Sequence, residues 1–268
     1  MKAPPRILSI AGSDSSGGAG IQADIKTIAM LGGYAMTAIT AVTAQNSVGV
    51  QAIAPLAKDM VASQIASCVE DIGVDAIKIG MLHDVEIIKA VASALENVAK
   101  GVPLVLDPVM IATSGAALIA PDTVEVLKSE LFSRATLITP NLPELEYLVG
   151  AGLKTNEEMA NGAENLAIEF DAHVLAKGGH TSNARIIDIL VSPDGHRVSF
   201  NHERVDTQHT HGTGCTLSSA IATLLGHGLP LEHAVRLARE FVREAIRRAP
   251  GFGAGSGPLG HQAVRKDS

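Results

Sequence analysis

The stretch 6-RILSIAGSDSSGGAGIQADIKTIAML-31 contains the pattern from which the fold class follows. Residues 6–11 have the continuous apolar character of a buried strand, and residues 12–20 form a loop rich in glycine and serine. Residues 21–31 have the apolar spacing of a helix, and residues 35–44, rich in Thr, Val and Ile, predict a second strand. A strand, a helix and another strand in this order are typical of a parallel sheet covered by helices.

The same alternation continues along the rest of the chain. The turn residues 192–195 (SPDG) separate two short apolar runs and predict an antiparallel hairpin, whereas the tail 251-GFGAGSGPLGH-261 contains too much glycine for regular structure. No linker or change of composition divides residues 1–268, so we expect one α/β domain, a three-layer α/β/α sandwich with a mostly parallel central sheet. The further predicted strands are 76–79, 103–106, 136–138, 174–176, 186–191 and 197–200, and the further helices are 59–71, 83–100, 121–131, 156–170, 216–225 and 231–248.

The composition excludes several classes of partner. The formal net charge is −7, only 3% of the residues are aromatic and Trp is absent, which argues against a nucleic-acid-binding protein. The apolar runs are too short for a membrane span or a signal peptide, so we expect no membrane partner. Cys68 and Cys215 have neither disulfide-framework nor metal-type spacing, which favours a reducing compartment and a cytoplasmic protein.

Polar and glycine-rich segments follow the predicted strands at their carboxyl ends. Ligands bind at this edge of open parallel sheets, so the repeated placement indicates one ligand site. The segments are GSDSSGG after the first strand, GMLHD after Ile79, DPVM after Leu106, TPNLPE after Ile138 and KGGH after Ala176.

The segment 211-HGTGCT-216 has the composition of an anion-binding loop that contains a thiol. Gly212 and Gly214 allow the main chain to approach a ligand, and the start of the next helix provides N–H groups and a positive dipole end. The same field favours thiolate, so we expect a lowered pKa at Cys215. Alone, the segment is more typical of a helix cap with a small buried cysteine; the other strand-end segments shift the interpretation to a phosphate site.

Charged and amide side chains at the other strand ends have two interpretations each. Asp107 at the end of a buried strand needs a cation or a hydrogen-bond network. Lys177 can neutralise phosphate charge or can lie solvated in a turn. Asn141 and Glu144, three positions apart, can hold Mg²⁺ through water or form a capping motif, and in isolation the capping motif is favoured.

A second group of residues has the chemistry to bind a flat heterocycle. The carboxylate of Asp24 and the amide of Gln45 can read a donor and acceptor edge, and Met81 can pack on a ring. Helix-face solvation, turn chemistry and core packing are the ordinary roles of these residues. His209 and His211 lack the further ligands of a metal site. The sequence contains no GxxxxGK[ST] loop, no strand-anchored GxGxxG and no GxSxG elbow.

The chain resembles the hydroxymethylpyrimidine/phosphomethylpyrimidine kinases of thiamine biosynthesis, which belong to the ribokinase-like superfamily. The matching motifs run in order from about Ile7 to His261 and are AGSDSSGGAGIQAD, TAVTAQNSVGV, KIGML, LDPVMIATSG, LITPNLPE, KGGH and HGTGCTLSSAIA. The resemblance implies a ribokinase-like fold and a homodimer. It also implies phosphorylation, dependent on ATP and Mg²⁺, of 4-amino-5-hydroxymethyl-2-methylpyrimidine and then of its monophosphate to the diphosphate.

The resemblance also implies roles for the matching residues. At the reacting centre, Cys215 takes the position where most of the superfamily has a catalytic Asp, and the anion hole is Gly212, Thr213 and Gly214. Gln45 matches the pyrimidine-binding amide; the residues around the ring are Asp24, Gly12 and Met81. The ATP side comprises Lys177, Asn141 and Asp107, with Glu144 for Mg²⁺, directly or through water. The tail departs from the pattern at Ala254 and Ser256, where some relatives have His.

Three other functions are compatible with the sequence. Pyridoxal kinase is a related enzyme with the same kind of anion-binding loop, and its substrate has a similar ring that bears a hydroxymethyl group. A cysteine-nucleophile transferase requires a histidine base beside Cys215, for which His211 is the candidate. A nucleotide sensor would bind ATP without turning over any pyrimidine alcohol.

Overall fold

A computed structural model describes residues 3–98, 100–110, 120–179 and 184–264. The strands in these ranges are β1 (Arg6–Asp14), β2 (Tyr34–Gln45), β3 (Val50–Pro55), β4 (Ala76–Ile79), β5 (Leu104–Leu106), β6 (Leu137–Ile138), β7 (His173–Ala176), β8 (Arg185–Val191) and β9 (Arg197–Glu203). The α-helices are α1 (Gly20–Met30), α2 (Lys58–Ser67), α3 (Val85–Ala94), α4 (Pro121–Leu131), α5 (Leu142–Val149), α6 (Asn156–Phe170), α7 (Thr213–Gly226) and α8 (Leu231–Arg247).

The strands form one nine-stranded sheet in the order β3-β2-β1-β4-β5-β6-β7-β8-β9. The six strands from β2 to β7 in this order are parallel, and β3, β8 and β9 pair antiparallel at the two edges. The mostly parallel sheet is therefore confirmed. Because the parallel strands all point the same way, their carboxyl ends meet at one edge of the sheet.

Two hydrophobic cores lie on opposite faces of the sheet. Alternate residues of a strand point to opposite faces, so Leu104 and Leu106 pack with α2–α6, whereas Val105 between them packs with α1, α7 and α8. In the first core, the rings of Phe132 and Phe170 meet edge to face at 5.1 Å between centroids. Helices on both faces of one sheet form three layers, which confirms the predicted α/β/α sandwich.

The hairpin prediction is confirmed: β8 and β9 flank the turn, where Gly195 has φ 83° and its N–H donates to Ser192 O at 2.9 Å. The tail has irregular structure apart from a short 3₁₀ turn at His261–Ala263. In the described part of the chain, no helix has the length and hydropathy that a bilayer span requires.

Several elements differ from the prediction, and the differences at β3, β1 and α3 are the most informative. β3 was not predicted, because its residues are exposed or half-buried and its extended form depends on pairing with β2. β1 continues beyond residue 11 to Asp14. The predicted helix 83–100 was wrong at both ends: His83 has φ 75° in a tight turn where Asp84 N–H donates to Leu82 O at 3.1 Å, and α3 ends at Ala94 with only a 3₁₀ turn after it.

Candidate active site

An ion pair joins the ends of β5 and β7. Lys177 Nζ lies 2.9 Å from Asp107 Oδ1, and the same oxygen accepts from Thr139 Oγ1 at 3.0 Å. Burial alone would lower the pKa of Lys177, but Asp107 and Glu144 raise it, so the side chain stays charged. A Cβ on Gly214 would lie 3.3 Å from Asp107 Oδ2 and 3.4 Å from Lys177 Nζ. The structure therefore brings Asp107 and Lys177 against the predicted anion loop.

The anion loop is the N-terminus of α7. Gly212 is the N-cap residue and has φ 83°, a left-handed conformation that favours glycine. A Cβ on Gly212 would overlap the carbonyl oxygen of Gly18, so the loop packs directly on the β1–α1 loop. Thr213 Oγ1 donates to Thr210 O at 2.6 Å. Among the described residues no side chain caps this helix. Thr213 N–H donates to Thr210 O at 3.2 Å, so the dipole and the N–H groups of Gly214 and Cys215 are what the helix offers to an anion.

Cys215, a half-buried residue, lies in the first turn of α7. Burial raises its pKa to about 11; the charge of Lys78 lowers it, the carboxylates of Asp24 and Asp107 raise it, and the N–H of Gly20 lowers it. The predicted lowering was therefore wrong. The helix field is a local property of the sequence, whereas desolvation and two carboxylates come from distant segments. At neutral pH the thiol is protonated.

Asp24 lies below the loop in a closed network. Its carboxylate pairs with Lys78 Nζ at 2.9 and 3.1 Å and accepts from Ser9 and Ser219 at 2.5 Å each. Both members of the pair have no exposed side-chain surface. Burial alone would lower the pKa of Lys78, but Asp24 and the other nearby acidic groups raise it. The carboxylate of Asp24 is thus bound by Lys78 and two hydroxyl groups, and its side chain has no exposed surface that a ring could contact.

The other residues expected around a ring lie near the ends of β1, β2 and β4. A Cβ on Gly12 would lie 2.6 Å from Met81 Cε, so the side chain of Met81 packs against β1 in the space that a larger residue at position 12 would occupy. Gln45 is the last residue of β2, and its Nε2 lies 3.5 Å from His211 Nε2. The structure therefore brings Gly12 and Met81 together and places Gln45 beside the start of the anion loop.

Asn141 and Glu144 form the capping box of α5. Asn141 Oδ1 accepts from Glu144 N at 2.9 Å, and Glu144 Oε2 accepts from Asn141 N at 2.8 Å. The capping interpretation is confirmed. Burial raises the pKa of Glu144 to about 7, Lys177 lowers it and Asp107 raises it, so the carboxyl is electrically part of the Asp107–Lys177 site. Leu142 N–H donates to Lys177 O at 3.1 Å, which fixes α5 beside the KGG segment.

Two residues at the site, Lys78 and Asp14, had no role in the sequence prediction, and a third, His211, was considered for a different one. Lys78 is signalled by a charge inside the apolar strand AIKI, and Asp14 by a carboxylate at the strand end in GSD. His211 was considered as a metal ligand or a base, but its Nε2 lies 2.8 Å from Asp14 Oδ2. His180 of KGGH and residues 111–115 of LDPVMIATSG lie outside the described residues.

With this geometry defined, comparison with known proteins decides the family. The chain matches the family model described as phosphomethylpyrimidine kinase over residues 14–260. The chain belongs to the phosphomethylpyrimidine kinase family. This confirms the resemblance and the ribokinase-like fold that it implied.

Two curated relatives of the phosphomethylpyrimidine kinase family and one solved structure illustrate the similarity. A hydroxymethylpyrimidine/phosphomethylpyrimidine kinase of Bacillus subtilis is 41% identical over 263 residues, 98% of this chain and 97% of the relative. The thiamine biosynthesis bifunctional protein ThiED of Geobacter sulfurreducens is 45% identical over 264 residues, 97% of this chain but 53% of the relative, so the chain spans about half its length. The pyridoxal kinase of Staphylococcus aureus, solved with AMP-PCP and pyridoxal, superposes with a TM-score of 0.89 at 32% identity, covering 98% of this chain and 95% of that chain.

Proposed function

We propose that this member of the phosphomethylpyrimidine kinase family transfers the terminal phosphoryl group of ATP to 4-amino-5-hydroxymethyl-2-methylpyrimidine. It then phosphorylates the monophosphate to the diphosphate, as a step of thiamine biosynthesis. The observation that supports this most is the contact of the Asp107–Lys177 pair with Gly214 at the N-terminus of α7, one residue from Cys215. A cation, main-chain amides and a thiol meet there at the carboxyl edge of the sheet.

The phosphate side supplies charge neutralisation. Phosphoryl transfer requires positioning and stabilisation of charge on the transferred group, and little covalent chemistry from the protein. The amides of Gly212 and Gly214 and the ammonium group of Lys177 stabilise that charge as the bond from the γ-phosphorus to the β–γ bridging oxygen breaks. The alcohol oxygen forms the new P–O bond, and ADP leaves.

Cys215 orients the acceptor in this scheme. A protonated thiol cannot act as a general base, but its sulfur accepts a weak hydrogen bond from the hydroxymethyl group. The alcohol proton then leaves late, as the new P–O bond forms, and passes to a phosphate oxygen. The second acceptor is a phosphate oxygen that is already ionised near neutral pH, so the second step depends less on Cys215.

The donor set fits Mg²⁺. Asp107 and Glu144 provide carboxylate oxygens near Lys177, and among the described residues no group of three or more His, Cys, Asp or Glu side chains forms a complete metal site. A cation held by one or two carboxylates, water and the phosphates of ATP matches the ordinary preference of Mg²⁺. When bound, Mg²⁺ neutralises phosphate charge; Asp107 and Glu144 are the residues that would hold it.

Incubation with MgATP and the pyrimidine alcohol, followed by mass spectrometry, tests the proposal. The expected products are ADP, the monophosphate and, after a delay, the diphosphate. ATP binding without product would indicate a nucleotide sensor. A covalent substrate adduct at Cys215 would indicate a cysteine-nucleophile transferase instead.

Pyridoxal kinase is the second candidate, because the chain superposes closely on a pyridoxal kinase solved with its ring substrate. Assays of both alcohols at equal concentrations, with MgATP, separate the candidates. We expect a higher kcat/KM for the pyrimidine alcohol, as the names of the sequence relatives suggest. A higher kcat/KM for pyridoxal would reverse the assignment.

We further propose that the chain is a single-domain cytoplasmic homodimer. Both cysteines are free, which suits a reducing compartment. Light scattering coupled to gel filtration gives the mass in solution, for which two copies are expected. Fractionation of cells tests the compartment.

A further inference from the structure

Three polar side chains connect the β1–α1 loop to the anion loop and to the end of β2. His211 Nε2 lies 2.8 Å from Asp14 Oδ2 and 3.5 Å from the amide of Gln45. Asp14 and His211 are 2% and 5% exposed, so water does not compete for these contacts. The imidazole also lies against the main chain of Gly18, where a Cβ would overlap the ring. The position of the ring is therefore fixed on several sides.

The hydrogen bonds of Asp14 determine where His211 holds its proton. The carboxylate accepts from Ser16 N at 2.9 Å, Ser16 Oγ at 2.8 Å, Gly18 N at 3.1 Å and Ala19 N at 2.8 Å. Burial alone would raise the pKa of Asp14, but the hydrogen bonds of His211, Ser16 and Ala19 outweigh it and the pKa is lowered. An ionised carboxylate only accepts, so Nε2 of His211 must donate.

A donor at His211 Nε2 selects the orientation of the Gln45 amide. The structure places Gln45 Nε2 here, where it would set an amide N–H against the N–H of His211. With the two ends of the amide exchanged, its oxygen shares the N–H that His211 donates to Asp14. The exchange also puts the NH₂ group where Oε1 now lies, 3.2 Å from Thr43 Oγ1, whose only proton goes to Ser13 O at 2.9 Å. Thr43 Oγ1 is then an acceptor for one N–H of Gln45, and the second N–H is available to a ligand.

We propose that Asp14 and His211 are positioning residues that turn the amide of Gln45 so that it offers an N–H donor to an acceptor nitrogen of a heteroaromatic ring. The inference rests on the proposed function, in which Gln45 faces the ring substrate. In this view the preference for a ring nitrogen depends on the proton of His211 Nε2, which acts on the ligand through the amide of Gln45.

Equilibrium binding of matched ring compounds tests this inference without requiring turnover. The probes are the pyrimidine alcohol and the two pyridine analogues in which one ring nitrogen is replaced by C–H. The wild-type chain should bind the pyrimidine about tenfold more tightly than one of the analogues, as expected for one hydrogen bond at a desolvated site. His211→Leu should reduce this ratio to within about threefold. His211→Gln, which keeps an N–H near the position of Nε2, should retain it.

Thermal unfolding and ATP binding of each variant show whether it is folded. Thr43→Val removes the partner on the other side of the amide and should lower the same ratio, which keeps the test decisive if His211→Leu does not fold. An unchanged ratio in a folded variant, an equal loss for all three ring compounds, or no discrimination by the wild-type chain would overturn the inference. Selective binding without product formation would instead contradict the kinase proposal and leave the inference standing.

Discussion

Replacing Lys177 with Met should lower both the thermal stability of the protein and its turnover. Lys177 and Asp107 are 14% and 3% exposed, so the substitution leaves a buried carboxylate whose cation is gone. Removing one partner of a buried pair costs about 3–5 kcal/mol. Asp107 keeps its hydrogen bond from Thr139, which puts the loss near the lower end. At about 2–4 °C per kcal/mol, the melting temperature should fall by about 6–12 °C.

The double variant Lys177→Met/Asp107→Asn distinguishes the two effects. Asparagine is neutral and still accepts from Thr139, so most of the melting temperature should return, while turnover stays at least about 10²-fold below wild type, because the charge facing the phosphate is absent. Circular dichroism melting without ATP and a coupled ADP assay give the two quantities. Lys154→Met, at an exposed lysine, is the matched control and should change neither. Unchanged melting and turnover in Lys177→Met, or no recovery of melting in the double variant, would refute this reasoning.

The remaining predictions concern the thiol and the glycine loop. Cys215→Ala should lower turnover of the alcohol about tenfold, the value of one hydrogen bond, and lower turnover of the monophosphate less; equal losses in separate assays would contradict the orienting role. In a Cys68→Ser background, the rate of Cys215 alkylation by iodoacetamide should keep rising to about pH 11, because burial keeps the thiol protonated below that value. A plateau of the alkylation rate near pH 8 would show that the thiol is not desolvated. Gly212→Ala should destabilise the chain by about 3 kcal/mol or more in denaturant unfolding, through positive φ and overlap with Gly18, whereas Gly228→Ala, with φ 84° and open space around it, should cost about 1 kcal/mol.

Much of the fold follows from local patterns in the sequence. Strand and helix periods predict the parallel sheet, and residues 192–195 predict the hairpin at its edge. β3 escapes prediction because its extended form is set by its neighbour and not by its own apolar pattern. The start of α3 escapes for a different reason: His83 is an ordinary residue in a left-handed turn, for which the sequence contains no glycine signal.

The sequence predicts which residues meet at the site better than it predicts their pKa shifts. Strand-end placement predicts that Asp107 and Lys177 meet, and they do so at 2.9 Å. The pKa shift of Cys215 was not predictable, because its direction depends on burial and on two carboxylates, Asp24 and Asp107, from separate segments. Lys78 in AIKI signals that a buried counter-charge exists, but only the folded chain identifies it as Asp24.

The contact between Asp14 and His211 joins positions 197 residues apart, and that between Asp24 and Ser219 joins positions 195 apart. Contacts of such long range require the intervening chain to close a large loop at a cost in entropy, so we expect them to form late in folding. An N-terminal fragment that ends before residue 211, or a C-terminal fragment that begins after residue 24, contains only one side of each bond. A ligand that binds beside these contacts would therefore stabilise both ends of the chain against unfolding at once.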